Sequence, residues 1–165
     1  MPNRHAMNWG LLVGLVFSLN FWVGTIPAIA WIQYILMAAE IYLIYRLARH
    51  CRDTEFGGHA TYGQMLWYII QLVLYASFIS ALFKYLYCKV LVPDYLDKQI
   101  DTMMQLANSM PMLADQADTL QSTFTQVLTP FNMAIQGMWT NLVMSLLLGL
   151  ILAAFLKKEK NIFED

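Results

Sequence analysis

Four apolar runs, residues 9–23, 26–47, 65–83 and 133–156, constrain this chain more than any other feature. A membrane-spanning helix needs about 20 mostly apolar residues. The last three runs meet that length, and the first does so when it extends from Met7 to near Ile26. The reading is all-α: an integral membrane four-helix bundle, a single membrane domain over residues 1–165, with spans near 7–25, 26–47, 65–87 and 131–156. Charge supports it. Only 13% of the chain is charged, where a soluble domain carries about 25%, and the charges gather between the runs. A net charge of −1 argues against a nucleic-acid partner.

Lysine and arginine placement orients the spans. Arg4 precedes the first run, Arg46, Arg49 and Arg52 follow the second, and Lys157, Lys158 and Lys160 follow the fourth. Lys84, Lys89 and Lys98 stand on the other side among several aspartates. With both termini in the cytoplasm, seven of the ten basic residues are cytoplasmic, as the positive-inside rule requires. Residues near 88–130 then lie outside. A rival reading makes the N-terminus a signal peptide, with residues 11–23 as its apolar core and Ala28-Ile29-Ala30 as its cleavage site. Trp31 and its apolar successors run straight into the second span and leave a peptidase no extended segment. Pro27 suits an early position of that second helix, where its missing N–H costs nothing. Cys51 and Cys88 fall on opposite sides of the membrane, so no intrachain disulfide is expected.

The connection between spans two and three holds the arginine triplet. Arg46, Arg49 and Arg52 form one stripe if the second helix continues past the bilayer, and they are candidate contacts for an anionic headgroup. Plain topology anchoring is the simpler account of the same stripe. Gly57-Gly58 ends the helix. His50, Cys51 and His59 match no zinc spacing, and neither metal nor cofactor is expected. The outer segment, residues 93–129, carries two amphipathic patterns. Leu96, Ile100, Met103, Ala107 and Met110 repeat at helical spacing, as do Leu113, Ala117, Leu120, Phe124 and Val127. These predict a helical hairpin broken near Pro111, with Pro130 opening the fourth span. Interfacial helices usually present Lys or Arg on the polar face. These faces are acidic, which favours helix pairing or protein contact over lipid contact.

The order Arg52-Asp53, Glu55, Phe56-Gly57-Gly58, Thr61-Tyr62-Gly63-Gln64, then Val92-Pro93-Asp94-Tyr95-Leu96 and the closing Lys157-Lys158 resembles the DUF4199 family. These are small four-span membrane proteins found mainly in Bacteroidota. The resemblance covers essentially the whole chain and implies a multi-pass protein of a bacterial inner membrane, without an established activity. It also implies gene neighbourhoods containing polyprenyl-phosphate sugar transferases. It supplies no catalytic residues.

Glu40 is the one carboxylate well inside a predicted span, and such a group usually faces protein or water. Gln33 shares its helix face. Gln71 and Tyr75 on the third span, with Asn141 and Ser145 on the fourth, complete a candidate intramembrane polar pocket, in which Gln71 is the expected partner of Glu40. The same residues also serve as inter-helix glue. Small residues at four-residue spacing (Gly10, Gly14, Ser18; Gly137, Asn141, Ser145, Gly149) mark faces expected to be buried. One carboxylate is no acid–base pair, no Ser–His or Cys–His arrangement is visible, and His5, His50 and His59 fall in tails or loops. The function expected is therefore a non-catalytic membrane subunit rather than an enzyme. It would anchor or regulate a membrane-associated partner, with a polyprenyl-phosphate sugar transferase as the class the resemblance implies. The alternative is a small oligomeric transporter or lipid flippase built on the pocket around Glu40. Expected partners are the bilayer and either a membrane protein or further copies of the chain.

Overall fold

A computed structural model describes residues 2–110 and 116–158. Among the described residues six α-helices follow in order: α1 Pro2–Gly24, α2 Ile32–Glu55, α3 Tyr62–Leu86, α4 Tyr95–Asn108, α5 Ala117–Val127 and α6 Pro130–Leu156. Among the described residues the only β-type pairing is an isolated antiparallel bridge between Ala60 and Lys158. Long helices are what such apolar runs dictate, because a helix satisfies every interior backbone group within itself. Among the described residues three helical stretches are long and apolar enough to cross a membrane: Pro2–Gly24, Tyr62–Leu91 and Pro130–Leu156. The second expected span is also a helix, of 24 residues. It carries Glu40, Arg46, Arg49 and Arg52, which lower its apolar character below that of the other three.

Helix ends follow local chemistry. Pro27 does not open α2. It opens a separate 3₁₀ turn, Pro27–Ile29, and α2 starts at Ile32. Ile26 is extended, with φ −107° and ψ 102°, the conformation that a following proline imposes. The tight turn that results reverses the chain between α1 and α2. Gly57 and Gly58 adopt φ of +64° and +84°, open to glycine at little cost, and Gly58 N–H donates to the Arg52 carbonyl at 3.0 Å. Thr61 and Gln64 form a capping box on α3. Thr61 N–H donates to Gln64 Oε1 at 2.9 Å, and Gln64 N–H lies 3.4 Å from Thr61 Oγ1. Thr129 caps α6 through a 3.2 Å bond from Asn132 N–H, with Pro130 first in the helix.

The chain divides into two compact units, residues 1–80 with 137–165, and residues 81–136. In the first, α1 and α2 pack as an antiparallel pair, and α3 contributes much of the core: Met65, Tyr68, Ile69, Leu72, Val73 and Ala76 are buried. Small residues set the approach distances. A Cβ on Gly10 would stand 2.6 Å from Tyr75 Cβ, and one on Gly14 would stand 2.8 Å from the Ala76 carbonyl oxygen. Gly149 of α6 meets Leu66 and Ile69 in the same way. Gly10, Gly14, Ser18, Ser145 and Gly149 are buried as the spacing predicts, whereas Gly137 and Asn141 are half-buried.

In the second unit α4 and α5 pack on each other. α3 continues as a π-helical segment, Tyr87–Leu91, in which Cys88 Sγ lies 3.5 Å from Met133 Sδ. Leu96, Ile100 and Ala107 of α4 are buried, and Leu120 and Phe124 of α5 are half-buried. Met103, Met110 and Val127, expected in the shielded stripe, are instead 39%, 45% and 54% exposed. The α4 stripe is wider than the strip of surface that one short neighbouring helix covers. Pro111 and Leu113 lie outside the described residues.

Candidate functional site: an arginine cleft and a buried polar pair

The helix that carries the arginines runs on to Glu55, so all three stand on one element, one turn apart. Their side chains part company. Arg46 and Arg49 line a cleft of about 430 Å³ with Tyr42, Tyr45, His50 and Asp53. Beside it is a second cavity of about 360 Å³, lined by Trp9, Leu43, Arg46, Leu47 and His50. Arg46 and His50 belong to both. Arg52 turns away. It pairs with Asp53 at 2.8 Å and donates to the Leu156 carbonyl at 3.2 Å. Its side chain is 15% exposed, against 60% for Arg49. Arg52 thus satisfies a carbonyl at the end of α6, where a cation is favoured by the helix dipole. The expectation that it offers its charge to a headgroup is corrected accordingly.

A histidine that the sequence places in a tail braces this site. His5 lies in α1, half-buried, with Nδ1 2.7 Å from the Tyr68 hydroxyl of α3. Its ring centroid is 5.4 Å from that of His50 and 6.1 Å from that of Trp9. Three helices therefore meet at one level, and the level includes two residues of the second cavity. His5 Nε2 is buried without a hydrogen-bond partner. Cys51, adjacent to His50, is fully buried. Burial, with the Glu55 charge adding to it, pushes its thiol up to about 12.

The six pocket candidates do not all gather on Glu40. Glu40 is buried at 9% exposure, and Asn20 Nδ2 of α1 donates to its Oε1 at 2.9 Å. The expected partner is on the third or fourth span, with Gln71 foremost; this bond comes from the first helix. The reason is the short connection. α1 and α2 reverse within a few residues, so Asn20, about one turn before the end of α1, and Glu40, about two turns into α2, come together. Gln33 is exposed and lays its amide against Gly24, about 3.0 Å from where a Cβ would stand. Tyr75 lines an apolar cavity of about 470 Å³ with Met7, Leu11, Leu74, Phe78 and Met138. Gln71 and Asn141 are half-buried, and Ser145 is buried.

Asn20 was overlooked because an amide is unremarkable at the end of an apolar run, although its place near the turn gave the register. Tyr42 and Tyr45 were overlooked because tyrosines are frequent here. Their i, i+3 spacing ahead of Arg46 and Arg49 was the available signal.

An all-helical fold, with three helices of membrane-crossing length and a cationic cleft beside α2, defines the class. Within that class the chain belongs to the DUF4199 family, described as a protein of unknown function and matched over residues 8–158. No curated protein and no solved structure matches it.

Proposed function

We propose that this protein is a non-catalytic, multi-pass subunit of a bacterial inner membrane that anchors or regulates a membrane-associated partner. In this reading α2 is the fourth span, both termini are cytoplasmic, and the α4–α5 hairpin is on the outer side. The observation that carries the reading is an exposed edge of the apolar stripe on α4. Met103 and Leu106, at i, i+3 spacing, are 39% and 60% exposed, and Met110, just past the helix end, is 45% exposed. They flank the buried Leu96, Ile100 and Ala107 on the helix that packs with α5. A helix that buries part of its apolar stripe and exposes the rest is suited to a partner's groove. Exposed acidic residues on the same helix, Asp97 and Asp101, disfavour an anionic leaflet as its occupant. The partner class that the family resemblance implies is a polyprenyl-phosphate sugar transferase.

The transport reading has less support, because the Glu40 carboxylate is engaged by Asn20 in the manner of inter-helix glue. Purification in mild detergent separates the two. A stoichiometric second protein, released by Leu106→Asp with helicity unchanged, supports the subunit reading. A lone homo-oligomer unaffected by Leu106→Asp would overturn it in favour of transport.

A further inference from the structure

We infer that the cleft beside α2 is a binding site for one phospholipid with a net negative headgroup. Its phosphate would sit between Arg46 and Arg49, and an acyl chain would enter the neighbouring apolar cavity. The inference rests on the membrane placement proposed above, not on the hairpin partner.

Two properties of the site define the ligand. The first is charge. Arg46 and Arg49 project from successive turns of one helix into a cleft of about 430 Å³, a spacing that lets two guanidinium forks grip one phosphate. Asp53, the only carboxylate among the described residues of its lining, is paired with Arg52 at 2.8 Å and with Arg49 at 3.9 Å. Arg46 has no such neighbour among the salt bridges to Asp53. Tyr42 and Tyr45 supply rings with a polar tip, the side chains that favour a headgroup boundary.

The second property is amphipathy. The adjoining cavity, about 360 Å³, has Trp9, Leu43 and Leu47 as its apolar walls and shares Arg46 and His50 with the cleft. A soluble anion would use the cleft alone. A lipid uses both, with its polar and apolar parts meeting at the shared residues. The cavity wall is also braced: the His5 ring packs at a tilt near Trp9 and His50 and is hydrogen-bonded to Tyr68. The shape is thereby fixed before a ligand arrives.

The test uses the full-length protein in nanodiscs of mixed phosphatidylglycerol and phosphatidylcholine. Lipids retained after extraction into neutral detergent are counted by native mass spectrometry. Wild type should retain one phosphatidylglycerol in preference to phosphatidylcholine. The double variant Arg46→Gln/Arg49→Gln should lose that preference about tenfold or more. Trp9→Ala should weaken retention of the lipid with the charges intact. Lys98→Gln, which also removes one positive charge, should change nothing. Thermal melts of each variant in the same detergent establish that the fold persists, and Arg46→Lys/Arg49→Lys, which keeps the charge, should recover part of the preference. Equal retention in the arginine variants would overturn the inference, as would an equal loss in Lys98→Gln. Displacement of the lipid by inorganic phosphate at matched concentration would also overturn it, since that marks a free-anion site. Failure of the protein to enter nanodiscs at all would instead defeat the membrane placement.

Discussion

Glu40 shows what a buried charge demands of its neighbours. A carboxylate inside a bundle must find a donor or lose its charge, and here Asn20 Nδ2 approaches it to 2.9 Å. Glu40→Gln keeps the shape and the acceptor, so stability in detergent should change little. Glu40→Leu leaves the Asn20 amide without this acceptor and should cost about 1–2 kcal/mol, the range found for polar contacts between membrane helices. Asn20→Leu in the Glu40→Leu background should recover much of that loss, because the pair is removed together. Additive losses in a thermal-unfolding double-mutant cycle would show that the two side chains are not coupled.

At the scale of elements, the small-residue stripe on α1 is the part of the packing most legible in the sequence. Gly10, Gly14 and Ser18 recur every fourth residue, and that spacing alone places them on one buried face. What it could not supply is the partner helix. The contacts at Tyr75 and Ala76 belong to α3 and depend on long-range packing. Helix ends were legible where the chemistry is local, as at Gly57-Gly58, Thr61–Gln64 and Pro130. The start of α2 was not, because Pro27 fits a 3₁₀ turn as well as a helix N-terminus. The candidate site was half legible for the same reason. Arg46 and Arg49 are close in sequence and share a face. Trp9 and His5 join them only through the α1–α2 hairpin. Gly14→Ala should be destabilising by about 1–3 kcal/mol, the usual cost of overpacking, since its Cβ would meet the Ala76 carbonyl oxygen at 2.8 Å. Gly57→Ala meets no atom within 4 Å but carries φ +64°; its cost of about 1 kcal/mol would come from the backbone alone. Thermal melts of the two variants should therefore differ, and equal small shifts would mean that α1 and α3 are not in close contact.

For the whole molecule, the threading through the bilayer is the first question. The natural cysteines are poor reporters of it. Both are free and buried, and the Cys51 thiol, pushed up to about 12, holds almost no reactive thiolate near pH 8. Single cysteines at exposed positions on a background of Cys51→Ala and Cys88→Ala are better. Thr54→Cys should react with an impermeant maleimide only after spheroplasts are opened, and Gln105→Cys should react in intact ones. The reverse pattern would invert the topology.

In the proposed function α4 offers the exposed edge of its apolar stripe, at Leu106, to one protein partner. The most direct measurement places a photo-crosslinking amino acid at Leu106, and separately at Asp101, in the full chain in its own membrane. Leu106 is 60% exposed, and Asp101 lies exposed on the same helix, five residues away. A single protein adduct of defined mass should form from position 106 and be much weaker from 101. Adducts to lipid alone from position 106, or equal adducts from both positions, would contradict the claim.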